Sequence, residues 1–234
     1  MVVEICANGI QSAQNAQLGG ADRIELCTQL AVGGLTPSHT EIRTVVNTLT
    51  IETHVLIRPR KGDFIYSEQE LQHMIDAITF CKNAGIKGVV SGVLTSEGNI
   101  DVEATSRLIA ASEGMCFTFH RAFDACNHPE KEIKTLIDLK VDRLLSSGQQ
   151  HKAIDGLPLL KKLQLLAGNQ LDIMPGSGIN TSNALQFKDA RFESIHLSAT
   201  SNKNLVTNTK SFFETGSEGI SDTATIKEVV GLFK

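Results

Sequence analysis

Two neighbouring segments of the chain carry the same Glu-x-Cys pattern, with Glu4 and Cys6 in the first and Glu25 and Cys27 in the second. Cys6, Cys27 and Met174 all come at the ends of predicted strands, where they offer soft sulfur donors. Such ligands select Cu(I) over hard cations. The alternative role is packing, because a small inward cysteine behaves as a hydrophobic side chain. The sequence therefore predicts a Cu(I) site at Cys6 and Cys27.

A second group of residues could hold an anion. Arg58 and Arg60 come at the end of a predicted strand, and a guanidinium presents a rigid fork of donors to a carboxylate or phosphate. A glycine-rich turn precedes a helix predicted to begin near Asn180, so its backbone amides could bind phosphate. The alternatives are ion pairs of the arginines with Glu25 and Asp124, and a simple tight turn. The predicted anion-binding residues are Arg58, Arg60, Ser147, Gly148, Gly176, Ser177 and Gly178.

A histidine and a carboxylate stand close together in the pattern His120-Arg121-x-x-Asp124. An imidazole near a carboxylate suits acid–base chemistry close to neutral pH. Together with Glu25, these residues would be the catalytic groups of an enzyme, whereas the alternative for His120 is a structural role. The sequence contains no GxSxG, Walker A or HExxH motif, which argues against the hydrolase and nucleotide-binding classes that these motifs define.

These residues must be positioned by strands that alternate with helices along the whole chain. Each predicted helix is amphipathic, and no linker or low-complexity segment interrupts the alternation. Eight such units predict parallel strands in a closed (β/α)₈ TIM barrel of the α/β class, with residues 1–234 as a single domain. The predicted strands are 2–6, 23–26, 51–57, 88–94, 116–120, 143–146, 171–174 and 194–197, and the predicted helices include 9–18, 38–48, 67–83, 101–112, 129–140, 157–167 and 180–188.

The alternation of side chains along each strand predicts which residues face the barrel lumen. If Val3 and Ile5 pack on the helices, Glu4 and Cys6 point inward, and the same phase places His196 inward on the last strand. A lumen built for stability alone is mostly Val, Ile and Leu, and burial of unpaired charge costs several kcal/mol. The predicted charged lumen therefore indicates a site.

Composition limits the possible partners and compartments. The chain has 234 residues, 41% of them hydrophobic and 21% charged, with a net charge of −4. No basic run exceeds Arg58-Pro59-Arg60-Lys61, so we expect no nucleic-acid partner. No apolar stretch approaches about 18 residues, and the acidic Glu4 does not suit a signal peptide, so we expect a cytoplasmic protein without a membrane partner. The five cysteines include no CxxC motif and fit reduced thiols.

Taken together, seven ordered segments between residue 2 and about residue 200 closely resemble the CutC family, named for copper homeostasis. The resemblance implies a cytoplasmic (β/α)₈ barrel that self-associates, as a homodimer here, with Cys6 and Cys27 matching the copper ligands proposed for the family. This sequence departs from the usual pattern of the family in three places. They are Ser177 within the glycine-rich turn, Ser91 on strand four, and a short loop from Ala199 to Ile220. The segments are EIC at 4–6, GGADRIELC at 19–27, GGLTPS at 33–38, IRPRKGDFIYS at 57–67, TFHRAFD at 118–124, SSG at 146–148 and MPGSG at 174–178.

Two hypotheses from different classes follow. The first is a cytoplasmic copper homeostasis protein that binds Cu(I) through Cys6 and Cys27. The second is a barrel enzyme that holds a small anionic or phosphorylated metabolite with the predicted anion-binding residues and uses Glu25 and His120 as acid–base groups. The charged lumen favours the enzyme, whereas the sulfur donors and the family resemblance favour copper.

Overall fold

The computed structural model of the chain describes residues 1–200 and 219–234, in which strands and helices alternate as the sequence predicts. Residues 201–218, which make up most of the loop predicted to be short, lie outside the described residues. The strands are β1 Val2–Asn8, β2 Arg23–Cys27, β3 Glu52–Leu56, β4 Gly88–Ser91, β5 Cys116–Phe119, β6 Arg143–Ser146, β7 Asp172–Pro175 and β8 Ser194–Leu197. The α-helices are α1 Ile10–Gly19, α2 His39–Thr48, α3 Glu68–Asn83, α4 Val102–Ala111, α5 Pro129–Asp138, α6 Leu157–Ala167, α7 Ala184–Asp189 and α8 Thr223–Gly231.

The eight strands form one parallel sheet in which β1 to β7 pair in sequence order. β8 pairs with β1, and a parallel bridge between Gly176 and His196 joins the end of β7 to β8. The sheet is thereby nearly closed into a barrel, which confirms the predicted (β/α)₈ architecture. All carboxyl ends of the strands lie at one mouth of this barrel.

The two faces of the strands separate as the alternation predicts. Val3, Ile5 and Ile24 pack with the helices in the main hydrophobic core, whereas Glu4 and Arg23 point into the lumen. Because the lumen residues are polar, they pair with one another across neighbouring strands instead of remaining as isolated buried charges.

Helix starts follow local capping signals. The hydroxyl of Ser38 accepts the backbone N–H of Glu41, and the Glu41 carboxylate accepts the N–H of Ser38 in return. Ser67 and Glu70 form the same reciprocal capping box at α3. These boxes satisfy backbone donors that a helix leaves free at its first turn.

Several predicted boundaries differ from the structure. β3 ends at Leu56, so Arg58 and Arg60 lie in the following loop instead of continuing the strand alternation. The helix predicted to begin near Asn180 begins at Ala184, because the side chains of Asn180 and Asn183 accept backbone N–H groups and hold a turn there. An eighth helix, α8, was not among the predicted helices.

The longest helix, α3, has 16 residues. Within residues 1–200 and 219–234, no helix has the length and apolar character required to cross a membrane.

Candidate functional site

Cys6 and Cys27 meet at the mouth of the barrel. They lie on the neighbouring strands β1 and β2, and their Sγ atoms are 3.7 Å apart. Both residues are buried, and 6% of Cys6 and none of Cys27 is exposed. The two thiols share a small apolar cluster with Leu30, Leu56 and Val90. The structure thus brings together the two cysteines that the sequence predicts as metal ligands.

Glu25 and His196 stand beside Cys6. The strand register places Glu25 opposite Cys6, and His196 comes from β8, on the other side of β1. Nε2 of His196 lies 3.5 Å from Oε2 of Glu25. One ligand atom from each of Cys6, Glu25 and His196 lies within 4.8 Å of the others, and all three residues are buried. The sequence predicts His196 as a lumen residue but not among the site residues, although its inward phase on the strand next to β1 is a usable signal.

Glu4 lies directly beneath this group and holds two of the lumen cations. Its Oε1 lies 2.8 Å from Nδ1 of His196, and its Oε2 accepts a hydrogen bond from Nε of Arg23. Burial alone would raise the pKa of Glu4, but the hydrogen bond with His196 and the charge of Arg23 outweigh it, and this pKa lies well below its usual range. Glu4 is therefore ionised and fixes the orientation of the His196 ring.

Each of the three clustered groups has a displaced pKa. The hydrogen bond with Cys27 and burial raise the pKa of the Cys6 thiol. Burial also raises the pKa of Glu25. For His196, burial acts to lower the pKa, but hydrogen bonds with Cys6 and Glu4 and the charge of Glu25 raise it well above its usual range. Titratable groups of opposite type that shift one another in this way are typical of functional sites.

Met174 does not join the thiols. Its Sδ accepts a hydrogen bond from Nη2 of Arg23, at 3.7 Å. Gly176, directly after β7, bridges His196, which pairs with Glu4 on β1, so Met174 lies nearer the amino ends of the strands than the two cysteines do. The soft donors at the mouth are therefore Cys6 and Cys27.

Arg58 is buried within loops instead of facing the lumen. Its guanidinium donates hydrogen bonds to the carbonyl oxygens of Val32, Gly34 and Gly62, at 2.9, 3.1 and 2.8 Å. It also stacks over the ring of Phe64, 5.0 Å from the centroid. These contacts connect the loops that follow β2 and β3.

Arg60 is paired with acidic side chains near α3. Its Nε donates to Oε1 of Glu70 at 2.6 Å, and its Nη2 donates to Oδ1 of Asp63 at 2.9 Å. Tyr66 lies under the guanidinium, 5.1 Å away. Both guanidiniums thus donate to groups of the chain itself, and anion binding by either stays a prediction.

Asp124 occupies the turn that contains Ser147 and Gly148. Its carboxylate accepts the hydroxyl of Ser146 at 2.6 Å and the backbone N–H groups of Ser147 and Gln149 at 3.0 and 3.1 Å. Nε of Arg121 donates to it at 2.9 Å. The amide of Ser147, a predicted anion-binding residue, therefore binds a carboxylate of the chain itself, whereas the amide of Gly148 donates to the hydroxyl of Ser146.

His120 lies apart from Glu25, in a pocket formed by aromatic rings and the arginine Arg58. Its Nδ1 accepts the backbone N–H of Ala122 at 3.2 Å, and Phe64 packs edge-on at 4.9 Å. Burial and the charge of Arg58 lower the pKa of His120 to about 3, so the ring is neutral. Glu25 faces His196 instead, and the use of Glu25 and His120 as acid–base groups stays a prediction.

The turn from Gly176 to Gly178 is tied to its neighbours. The N–H of Gly176 donates to the carbonyl of Ser146, and the hydroxyl of Ser177 donates to the carbonyl of His151. Ser177 adopts a φ of 87°, in the left-handed region that usually favours glycine. The helix that follows, α7, begins six residues after Gly178, so these amides do not lie at its N-terminus.

Fold and site together define a (β/α)₈-barrel protein with two thiols, an imidazole and a carboxylate at the carboxyl ends of its strands. The sequence matches the profile of the CutC family over residues 1–201, and the chain belongs to this family. CutC of Pasteurella multocida (strain Pm70) is 45% identical over 199 residues, which cover 85% of this chain and 82% of that protein. CutC of Glaesserella parasuis serovar 5 is 40% identical over 238 residues, covering 100% and 98%.

A solved structure supports the same assignment. The crystal structure of a CutC protein from Streptococcus agalactiae, named for copper homeostasis, is 31% identical and superposes with a TM-score of 0.79. The match covers 85% of this chain and 98% of that chain. The resemblance predicted from the sequence motifs is thereby confirmed.

Proposed function

We propose that this protein binds Cu(I) as the cargo of cytoplasmic copper homeostasis, and that the ligands are the thiolates of Cys6 and Cys27. The observation that carries the proposal is the separation of 3.7 Å between the two Sγ atoms at the barrel mouth. Membership of a family named for copper homeostasis supports the same conclusion.

The geometry of the thiol pair suits one shared ion. Two sulfurs 3.7 Å apart can each lie about 2.3 Å from one metal, the usual zinc–sulfur bond length, at a near-tetrahedral angle. A small outward rotation of either side chain would open this angle for a lower coordination number. Leu30, Leu56 and Val90 surround the sulfurs with apolar groups, and a hydrophobic shell of this kind limits access of solvent to a metal.

The test is titration of the reduced protein with Cu(I) under anaerobic conditions against a competing chelator. Cys6→Ser and Cys27→Ser should each remove most of the affinity. Cys81→Ser is the matched control, because Cys81 is a buried thiol in α3, far from the barrel mouth. Binding should also release protons near neutral pH, since burial and the bond with Cys27 keep the Cys6 thiol protonated before the metal arrives. Equal affinity in all three variants would contradict the proposal.

The proposal includes the compartment and the assembly. All five cysteines are free thiols in the structure, which fits a reducing compartment such as the cytoplasm.

We further propose a homodimer, on the basis of the family's tendency to self-associate. Sedimentation or light scattering at several concentrations tests this assembly, and a single species of 25.3 kDa at all of them would contradict it.

The enzyme hypothesis has weaker geometric support. The donors of Arg58 and Arg60 are directed at carbonyls and acidic side chains of the chain, and Asp124 is surrounded by its own donors. Thermal-shift measurements with inorganic phosphate test it, since a bound anion raises the melting temperature with concentration.

A further inference from the structure

We propose that Cys6, Glu25 and His196 form a three-ligand site for a divalent metal ion of the zinc type, distinct in its ligand set from the copper site but sharing Cys6. This proposal goes beyond copper binding and does not depend on it. Its ligands come from three consecutive strands of the closed barrel, β8, β1 and β2, whose carboxyl ends meet at the mouth.

The hydrogen bond on the far side of the His196 ring is the first observation. Nδ1 lies 2.8 Å from Oε1 of Glu4, and Glu4 is also bonded to Arg23. This arrangement leaves Nε2 as the atom that faces Cys6 and Glu25. A histidine that binds a metal usually donates its other ring N–H to a carboxylate, which fixes both the tautomer and the orientation of the ring. Glu4 is placed for that role.

The separations between the ligand atoms are the second observation. Nε2 of His196 and Oε2 of Glu25 are 3.5 Å apart, which is long for a hydrogen bond of this type. Two ligands at about 2.0–2.2 Å from a tetrahedral zinc ion are separated by roughly this distance. One Cys6 atom lies within 4.8 Å of both partners, so modest side-chain movement brings all three onto one ion.

The donor types specify the class of ion. Thiolate, imidazole and carboxylate together are ligands that Zn²⁺ accepts, whereas Cu(I) prefers sulfur. Three protein ligands leave a fourth position open, as in zinc sites that also bind water or a small ligand. That position lies at the barrel mouth, where Cys6 and His196 keep 6% and 7% of their surface exposed.

Because both ions use the Cys6 sulfur, we expect them to compete for the mouth. Cys27 is 3.7 Å from Cys6 but lies outside the three-residue group, and the proposal assigns it to copper alone. Cu(I) should therefore displace Zn²⁺ from the protein in a ratio of one to one.

The experiment measures Zn²⁺ affinity of the reduced protein by chelator competition, and uses Co²⁺ as a spectroscopic probe of thiolate ligation and tetrahedral geometry. Glu25→Gln and His196→Gln should each weaken Zn²⁺ binding by more than about 100-fold. This loss is larger than that expected for a residue that only hydrogen-bonds to a metal ligand. Cys27→Ser should retain it. In the Cu(I) titration the pattern should reverse, with Cys27→Ser losing affinity and Glu25→Gln retaining it.

Three outcomes would overturn the zinc proposal. They are absence of Zn²⁺ binding to the wild type, equal loss in Cys27→Ser and Glu25→Gln, and full retention in Glu25→Gln. The near-isosteric Glu25→Gln variant keeps the test decisive if His196→Gln fails to fold, which circular dichroism would reveal. A wild type that binds Zn²⁺ but not Cu(I) would contradict the copper proposal alone, so failure of one proposal is distinguishable from failure of the other.

Discussion

Glu4 and His196 are register partners on β1 and β8, and their side chains lie 2.8 Å apart inside the barrel. The same carboxylate accepts a hydrogen bond from Arg23 on β2, the other neighbour of β1. One ionised group therefore connects the strands on both sides of it. The hydrogen bond between Glu4 and His196 joins the first strand to the last, so closure of the barrel also fixes the orientation of the His196 ring.

Replacement of Glu4 by Gln should strongly destabilise the protein. The variant keeps the shape of the side chain but leaves Arg23 as a buried cation paired with Glu52, which is half-exposed and 3.8 Å away. Loss of one partner from a buried ion pair costs about 3–5 kcal/mol. Urea unfolding of Glu4→Gln should show a decrease of this size, and its Zn²⁺ affinity should fall by about 10- to 100-fold.

Glu52→Gln is the matched control, because Glu52 contacts the same arginine from the surface. We expect it to change the free energy of unfolding by less than about 1 kcal/mol. Similar costs for the two variants would contradict the assignment of Glu4 as the principal partner of Arg23.

Arg58→Ala separates a structural role from an anion-binding role. The guanidinium donates to three carbonyl groups and only 2% of the residue is exposed, so its removal takes a donor from the buried carbonyl of Gly34 and from the carbonyls of Val32 and Gly62. We expect a loss of at least about 2 kcal/mol, and Arg58→Lys should not restore it because an ammonium lacks the planar fork of donors. Arg60→Ala, at the surface, should cost less than about 1 kcal/mol.

A stable Arg58→Ala variant that no longer responds to phosphate in thermal-shift assays would contradict this prediction. That result would favour the anion-binding role predicted from the sequence.

The side chains that face the lumen can be predicted from sequence, because they follow from the alternation of side chains along each strand. Alternation along β1 and β2 placed Glu4, Cys6, Arg23, Glu25 and Cys27 inward, and the structure agrees. The rule holds because every second side chain of a barrel strand must pack on helices, and an apolar residue marks that face. The sulfur pair of the candidate site follows from it directly.

The loops could not be predicted in the same way. Once β3 ends at Leu56, side-chain direction depends on contacts with distant loops, and Arg58 turns toward the carbonyl of Val32, 26 residues earlier in the chain. The pairing of His196 with Glu4 joins residues 192 positions apart, and it exists because the barrel closes. Spacing alone does not give such contacts.

Gly148 and Gly156 allow a close approach of two backbone segments beside Asp124. Gly148 has a φ of 67°, and a Cβ there would overlap the carbonyl of Gly156. Gly148→Ala should therefore displace the turn that binds Asp124 and lower the free energy of unfolding by more than the roughly 1–2 kcal/mol that backbone strain alone costs. Thermal or urea unfolding measures this loss.

Gly114→Ala is the control for the backbone contribution. Gly114 also has a positive φ, of 86°, but a Cβ there would meet no atom within 4 Å. Equal losses in the two variants would show that close packing at Gly148 contributes nothing beyond its backbone conformation.

The buried, neutral state of His120 should make the protein sensitive to mild acid. Burial and the charge of Arg58 lower the pKa of His120 to about 3 in the folded protein, whereas an unfolded histidine titrates at about 6.5. Between these values the unfolded chain binds a proton that the native state does not. Stability is therefore full above about pH 6.5 and falls as the pH decreases, by about 1.4 kcal/mol per pH unit for one such histidine.

His120→Asn tests this assignment, because an amide oxygen can still accept the N–H of Ala122 while the titration disappears. Urea unfolding at pH 7, 6 and 5 should show a smaller decrease for His120→Asn than for the wild type. His54, whose pKa burial lowers to about 4, should supply the acid sensitivity that remains. An identical pH dependence in His120→Asn and the wild type would show that His120 takes up its proton without unfolding.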